Sequence, residues 1–163
     1  WEHDKDPEAF FAAAEVLAAE GLDFEVAVAG QSFRETGPLV TEAAASLGDR
    51  LVHLGEPESR EAYARLLASA DVAVSTARNE FFGLAMLEAC YAGCTPVVPD
   101  RLAYPELYPA GCRYGSQGEL VARLRSHVVD RPAPGAHRAL AEPFTFGELV
   151  PRYAEVFEAV ARG

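Results

Sequence analysis

The chain has 163 residues, half of them hydrophobic, 24% charged and 10% aromatic. That composition suits one domain, two at most, and excludes disorder and low-complexity scaffolding. Fourteen basic against 25 acidic side chains leave a net charge of −11, which makes the chain by itself a poor binder of a phosphate backbone. The imbalance is uneven: residues 1–50 carry −8, 51–100 carry −4 and 101–163 carry +1. Thirteen of the 14 bases are arginine, and the single lysine, Lys5, lies in the most acidic third. Three cysteines cannot build a disulfide framework. No apolar run reaches the roughly 18–20 residues of a membrane span, and no basic-then-apolar leader opens the chain. A soluble, cytoplasmic protein without membrane contact is expected.

In chain order, Asp6-Pro7-Glu8 reads as a helix start, with Asp6 as cap, Pro7 in the first turn and Glu8 at the positive dipole end. Phe10, Ala13, Ala14, Leu17 and Ala18 form its apolar stripe, and Gly21 ends it. Residues 24–29 read as a strand closing at Gly30, residues 36–47 as a helix, and 50–54 as a short strand ending at Gly55. Ser59 caps a helix through Ala68, and residues 71–75 form a strand apolar enough to be buried in a parallel sheet. A helix over about 82–92 ends at Gly93, and Thr95-Pro96-Val97-Val98 is another buried strand. Residues 101–111 read as a loop or short helix, and Arg113-Tyr114 as a last edge strand. Helices are expected near 119–129, 136–141 and 146–161, with the loop 130–135 between the first two.

This alternation predicts an α/β, doubly wound parallel sheet of Rossmann-like type. Ligands of such sheets bind outside the carboxyl ends of the strands. The candidate positions are therefore Gly30-Gln31, Gly55-Glu56-Pro57, Ser75 to Gly83, and Pro99-Asp100. A βα domain opens on a strand, whereas Trp1 leads almost directly into a helix, so the natural chain is expected to continue upstream.

The segment from Glu80 to Ala89 holds two carboxylates eight residues apart. Glu80 falls in the loop after a strand. Gly83 falls where the helix opens and permits close approach of a ligand to the backbone. The free amides of a first helical turn, with the dipole behind them, make an anion site. Glu88 lies further along the helix, and both carboxylates suit the hydroxyls of a sugar or ribose. The same two residues also fit the solvated flanks of an ordinary surface helix.

The Glu80–Glu88 spacing enclosing Phe82-Gly83, followed by Gly93-Cys94-Thr95-Pro96-Val97-Val98, resembles the donor-binding signature of family-4 retaining glycosyltransferases of the GT-B type. Residues 1–8, Ser75-Thr76-Ala77 and Tyr104-Pro105-Glu106 resemble the subgroup of tRNA-queuosine α-mannosyltransferases. The resemblance covers essentially the whole chain. It implies that residues 1–163 are the nucleotide-sugar-binding C-terminal domain, one half of a GT-B architecture whose N-terminal acceptor domain lies elsewhere. It also implies GDP-mannose as donor, no metal or other cofactor, and tRNA as a partner reached through the acceptor domain. Residue by residue, it places Glu80 on the hexose hydroxyls and Glu88 on the ribose. The amides of Phe82, Gly83 and Leu84 would cradle the diphosphate, and Lys5 would neutralise it as it leaves. Gly55, Glu56 and Pro57 would flank the base. Phe81, in a position often small, and Ala85, in place of a frequent proline, depart from the pattern and bear on specificity.

Lysine is a compact point charge suited to phosphate, although Lys5 also fits a surface pairing with Glu2, Asp4 and Asp6. Cys90 and Cys94 read as buried thiols, His53 as a core or edge residue, and His127 and His137 as solvent-exposed, while His3 could face the site. A nucleotide-sugar epimerase and a non-catalytic nucleotide-binding α/β module remain the alternatives, together with a family-4 enzyme using another donor and a glycan or lipid acceptor.

Overall fold

Helices and parallel strands alternate as the periodicity predicts in a computed structural model that describes residues 3–30 and 38–162. Trp1, Glu2, Gln31 and the first residues of the expected second helix lie outside the described residues. The strands are β1 (Val26–Ala29), β2 (Leu51–Gly55), β3 (Val72–Val74), β4 (Thr95–Pro99) and β5 (Arg113–Tyr114). The helices are α1 (Pro7–Ala19), α2 (Pro38–Leu47), α3 (Arg60–Ser69), α4 (Leu84–Ala92), α5 (Tyr104–Leu107), α6 (Gln117–Val129) and α7 (Phe146–Arg162).

Pairing is parallel throughout. β1 runs beside β2, and β3-β4-β5 forms a second sheet. The centre is β4, buried at all five residues. Successive side chains of a strand point to opposite faces, and β4 uses both. Val97 packs with Ala13, Leu17, Leu120 and Leu124 of α1 and α6, while Val98 packs with Met86, Leu87 and Tyr104 of α4 and α5. Helices thus cover both faces, which makes the sheet doubly wound and Rossmann-like. A third cluster joins Phe11 and Ala14 to Val26, Ala43 and Leu47, so α1 packs on both sheets.

Several expectations are corrected. Asp6 does not cap α1. Its backbone is left-handed (φ 48°), it makes no capping bond, and its carboxylate goes instead to Arg78. Two charge-assisted bonds to a guanidinium outweigh one to a neutral amide. β3 is only half-buried despite its apolarity, because among the described residues it pairs with β4 along one edge alone. The helix expected over 136–141 is reduced to a 3-10 turn at Arg138–Leu140, followed by another at Glu142–Phe144, and Pro143, which lacks an amide hydrogen, opposes their fusion into one helix. His127 and His137 are half-buried rather than exposed. Burial, then the neighbouring His137 and Arg123, hold the His127 pKa below its usual value.

Other local readings hold. Ser59 caps α3 by accepting from the Ala62 amide at 3.1 Å. Cys90 and Cys94 are fully buried free thiols, and burial pushes Cys90 up to about 12. His53 lies on β2, half-buried, 3.1 Å from the Gly55 carbonyl. The Ser116 cap and Glu119, which accepts from the Gly115 amide, start α6 earlier than the apolar pattern suggests. No helix among the described residues is long and apolar enough to cross a membrane.

Candidate functional site

The loop joining β3 to α4 runs along the carboxyl edge of the sheet, and tertiary bonds hold it from both sides. The Ser75 hydroxyl meets the Tyr104 hydroxyl at 2.7 Å, and the Tyr114 hydroxyl donates to the Ser75 carbonyl at 2.9 Å. Arg101 donates from two nitrogens to the Ala77 carbonyl, at 3.0 and 3.2 Å. On the other side lies the 3-10 turn His3–Lys5. The Thr76 hydroxyl lies 2.8 Å from the Lys5 carbonyl and 2.9 Å from that of Asp6. The Arg78 and Asn79 amides donate to the Asp4 carbonyl at 2.7 and 3.2 Å.

These contacts bring Lys5 to Glu80 across 75 residues of sequence. The ammonium donates to Glu80 Oε2 at 3.1 Å and lies 3.4 Å from the Asn79 carbonyl. The other oxygen, Oε1, accepts from the amides of Phe81, Phe82 and Gly83 at 3.0, 3.3 and 3.0 Å. A carboxylate thus sits in the seat that the opening of α4 offers to an anion. Partial burial pushes the Glu80 pKa up. The bonds from Lys5 and from the Gly83 and Phe82 amides outweigh that effect and leave it below the ordinary value. The Lys5 side chain remains 53% exposed, so its ammonium is open to a ligand while paired.

Gly83 is required where it stands. Its φ is +86°, and a Cβ there would lie 3.0 Å from Cε1 of the Tyr104 ring, so a side chain would meet both backbone strain and a buried aromatic. Burial raises the Tyr104 pKa against the opposing bond from Ser75, and the phenol stays protonated at neutral pH.

Glu88 lies in a second, looser group. Its carboxylate is 3.8 Å from the Arg60 guanidinium, with both side chains well exposed. Burial, then the Glu88 charge and its hydrogen bond, raise the Tyr63 pKa. Arg60 and Tyr63 stand at the start of α3, just after Gly55-Glu56-Pro57, so Glu88 and that loop share one end of the structure. Leu84 opens α4, and its side chain is exposed together with those of Phe81 and Phe82. Phe82 also packs edge-on against Phe144. A cavity of about 240 Å³ lies nearby at the ends of β4 and β5, lined in part by Asp6, Thr76, Asp100, Arg101, Tyr114 and Gln117.

Most expected residues therefore gather along one edge. Lys5, Glu80, Phe82 and Gly83 are directly bonded, Leu84 follows at once, and Glu88 stands one helical turn beyond. Two of the three amides expected to hold a diphosphate are occupied by Glu80 itself. Sequence reasoning placed Thr76 and Arg78 inside the candidate stretch 75–83 without a role, gave Asp6 to helix capping, left Tyr104 without a partner, and missed Arg60 and Tyr63. The signal for Thr76 and Arg78 was their place after a strand and that for Asp6 its place beside Lys5, and neither says which distant segment these residues join.

The family profile described as glycosyl transferases group 1 matches residues 1–121. The chain is 36% identical over 163 residues to a tRNA-queuosine alpha-mannosyltransferase of Drosophila melanogaster, covering 96% of this chain and 43% of that protein. It is 33% identical over 136 residues to a GDP-mannose-dependent alpha-(1-6)-phosphatidylinositol dimannoside mannosyltransferase of Mycobacterium tuberculosis, covering 80% and 34%. A D-inositol 3-phosphate glycosyltransferase of Mycolicibacterium gilvum is 32% identical over 166 residues, covering 94% of this chain and 33% of that protein. The chain spans less than half the length of each of these relatives.

Proposed function

The chain belongs to the glycosyl transferases of group 1, and from that membership we propose that it is the donor-binding domain of a retaining mannosyltransferase using GDP-mannose. Two mannosyltransferases among the relatives support mannose as the sugar, and one of them, a tRNA-queuosine alpha-mannosyltransferase, supports queuosine in tRNA as the acceptor. The observation that carries the reading is the convergence of Lys5 and three α4-entrance amides on one negative group.

In the reaction the bond from the anomeric carbon to the diphosphate oxygen breaks, and the diphosphate keeps the electron pair. An oxocarbenium-like sugar is left behind. The charge that develops on the leaving oxygens is met by the Lys5 ammonium and by the amides of Phe82, Gly83 and Leu84. These groups are held in place before the reaction and therefore favour the transition state over the ground state. The Glu80 carboxylate must leave the amides for the diphosphate to reach them, which frees it to accept from hexose hydroxyls. Glu88 accepts from the ribose, and Gly55-Glu56-Pro57 flank the base. This scheme gives no metal a role, because the lysine and the helix opening supply the positive charge.

The acceptor is proposed to be held by a second domain, N-terminal to this one, as the greater length of the relatives supports. Reaction requires the acceptor oxygen within about 3–3.5 Å of the anomeric carbon and exclusion of water. The tRNA contacts belong to that domain as well, because a net charge of −11 does not supply the several phosphate contacts nucleic-acid affinity needs. The protein is proposed to act in the cytoplasm.

Calorimetric titration with GDP, UDP and a non-nucleotide control tests the donor. GDP is expected to bind in preference to UDP, and no binding of either removes the nucleotide-sugar reading. The 163-residue chain is expected to cause no retardation of tRNA at moderate salt and to transfer no mannose alone. Mannosylated nucleoside in digested tRNA, found by mass spectrometry, would overturn the two-domain proposal.

A further inference from the structure

A lysine with four rotatable methylenes does not place its own ammonium; its backbone must be fixed first. Lys5 lies in a single 3-10 turn with Asp6 in a left-handed conformation just after it, and neither residue belongs to a strand. What fixes them is the loop after β3. Thr76, buried to 7% exposure, directs its hydroxyl at the carbonyls of both Lys5 and Asp6. Arg78 grips the Asp6 carboxylate with two bonds, Nε to Oδ2 at 2.8 Å and a terminal nitrogen to Oδ1 at 3.0 Å. The Arg78 and Asn79 amides hold Asp4 on the other side of the lysine. Three consecutive residues centred on Lys5 are thus fastened to Thr76, Arg78 and Asn79 of the loop, and the next loop residue is Glu80.

We propose that Thr76 and the Asp6–Arg78 pair are positioning residues that hold the Lys5 ammonium at the opening of α4. The inference rests on the donor-site reading given above and adds to it how the lysine is placed. The turn and the loop form one unit: Lys5 reaches the leaving diphosphate from the same body that carries the amides, so their separation does not depend on chain flexibility. Thr76 touches no donor atom in this scheme. Its hydroxyl acts through the Lys5 backbone, and its burial keeps water from competing for the two carbonyls.

A double-mutant cycle on GDP affinity tests this, because residues that act through one another are non-additive. Thr76→Val keeps the side-chain volume and removes the hydroxyl, and it is expected to weaken GDP binding about fivefold. In a Lys5→Ala background the same substitution is expected to change affinity by less than about twofold, and Thr76→Ser is expected to restore it. Asp6→Asn, which leaves the core untouched, is expected to follow Thr76→Val in both backgrounds. Equal losses with and without Lys5 would show a merely structural role and overturn the proposal, as would an unchanged affinity for Thr76→Val with Lys5 present. Failure of the unsubstituted protein to bind GDP would instead remove the donor site and the positioning role with it. Should Thr76→Val not fold, Asp6→Asn decides alone by the same comparison.

Discussion

The two glutamates of the α4 segment have the same chemistry and opposite settings. Glu80 receives four hydrogen bonds, three from consecutive amides and one from Lys5. Glu88 faces Arg60 at 3.8 Å across an exposed surface and meets Tyr63. The first setting is preorganised by a loop tied down at Ser75, Thr76, Ala77 and Arg78. The second is an exposed acceptor at the edge of a helix. A preorganised group suits charge that changes during a reaction, whereas an exposed acceptor suits a hydroxyl that only has to be held.

The largest expected effect lies at the first setting. Lys5→Ala should weaken GDP binding by about 1–3 kcal/mol, the scale of hydrogen bonds to charged groups. Unchanged affinity by calorimetry would remove Lys5 from the site and erase the difference between the two settings. Exchange of each carboxylate for an amide divides the comparison more finely. Glu80→Gln should not weaken the binding of free GDP, because it removes the carboxylate that competes for the amides, while impairing use of the sugar nucleotide. Glu88→Gln should weaken both by about 1 kcal/mol, and equal GDP losses in the two variants would contradict the assignment.

Acid provides a smaller effect that involves no ligand. The Glu80 pKa is depressed in the folded state, because the bonds from Lys5 and the Gly83 and Phe82 amides outweigh partial burial. Its contribution to stability is therefore present above the unfolded value of about 4.3 and is lost as pH falls through the lower folded value. Urea unfolding between about pH 3 and 6 should show this slope, less than about 1 kcal/mol in all, reduced in Glu80→Gln. The smallest effect is at the second setting: Arg60→Ala should change stability by no more than about 0.5 kcal/mol. A larger loss would mean that the Arg60–Glu88 pair is as organised as the pair at Lys5.

Much of this arrangement was legible in the sequence because short-range chemistry governs it. Gly83 marks the opening of α4, and its positive φ beside the Tyr104 ring explains why no other residue stands there. Ser59 caps α3 where the spacing places it. Asp6 shows the limit of such reasoning. Asp-Pro-Glu is a good helix start by local rules, yet a guanidinium 72 residues away takes the capping carboxylate. β3 is a similar case, since its apolarity implied burial while its solvent exposure depends on which strands flank it. The seven-residue spacing of Phe146, Tyr153 and Val160 likewise shows that α7 is amphipathic, but these side chains are all exposed among the described residues.

By itself the sequence determined the order of helices and strands, the parallel character of the sheet, and the candidacy of Lys5, Glu80 and Glu88. The order and the sheet follow from periodicity and turn residues, the candidacy of Glu80 from its place after a strand, and that of Lys5 and Glu88 from side-chain type together with the resemblance of their segments to a known family. Tertiary structure decided that Lys5 meets Glu80, that Thr76 and Arg78 hold the turn that carries it, and that Glu80 fills the amide seat of α4. The reason is the sheet itself. Parallel strands carry their following loops to one edge, so residues separated by more than 70 positions become neighbours there. Burial of Val97 and Val98 on opposite faces of β4 sustains that sheet, and chain spacing alone does not encode which loops then touch.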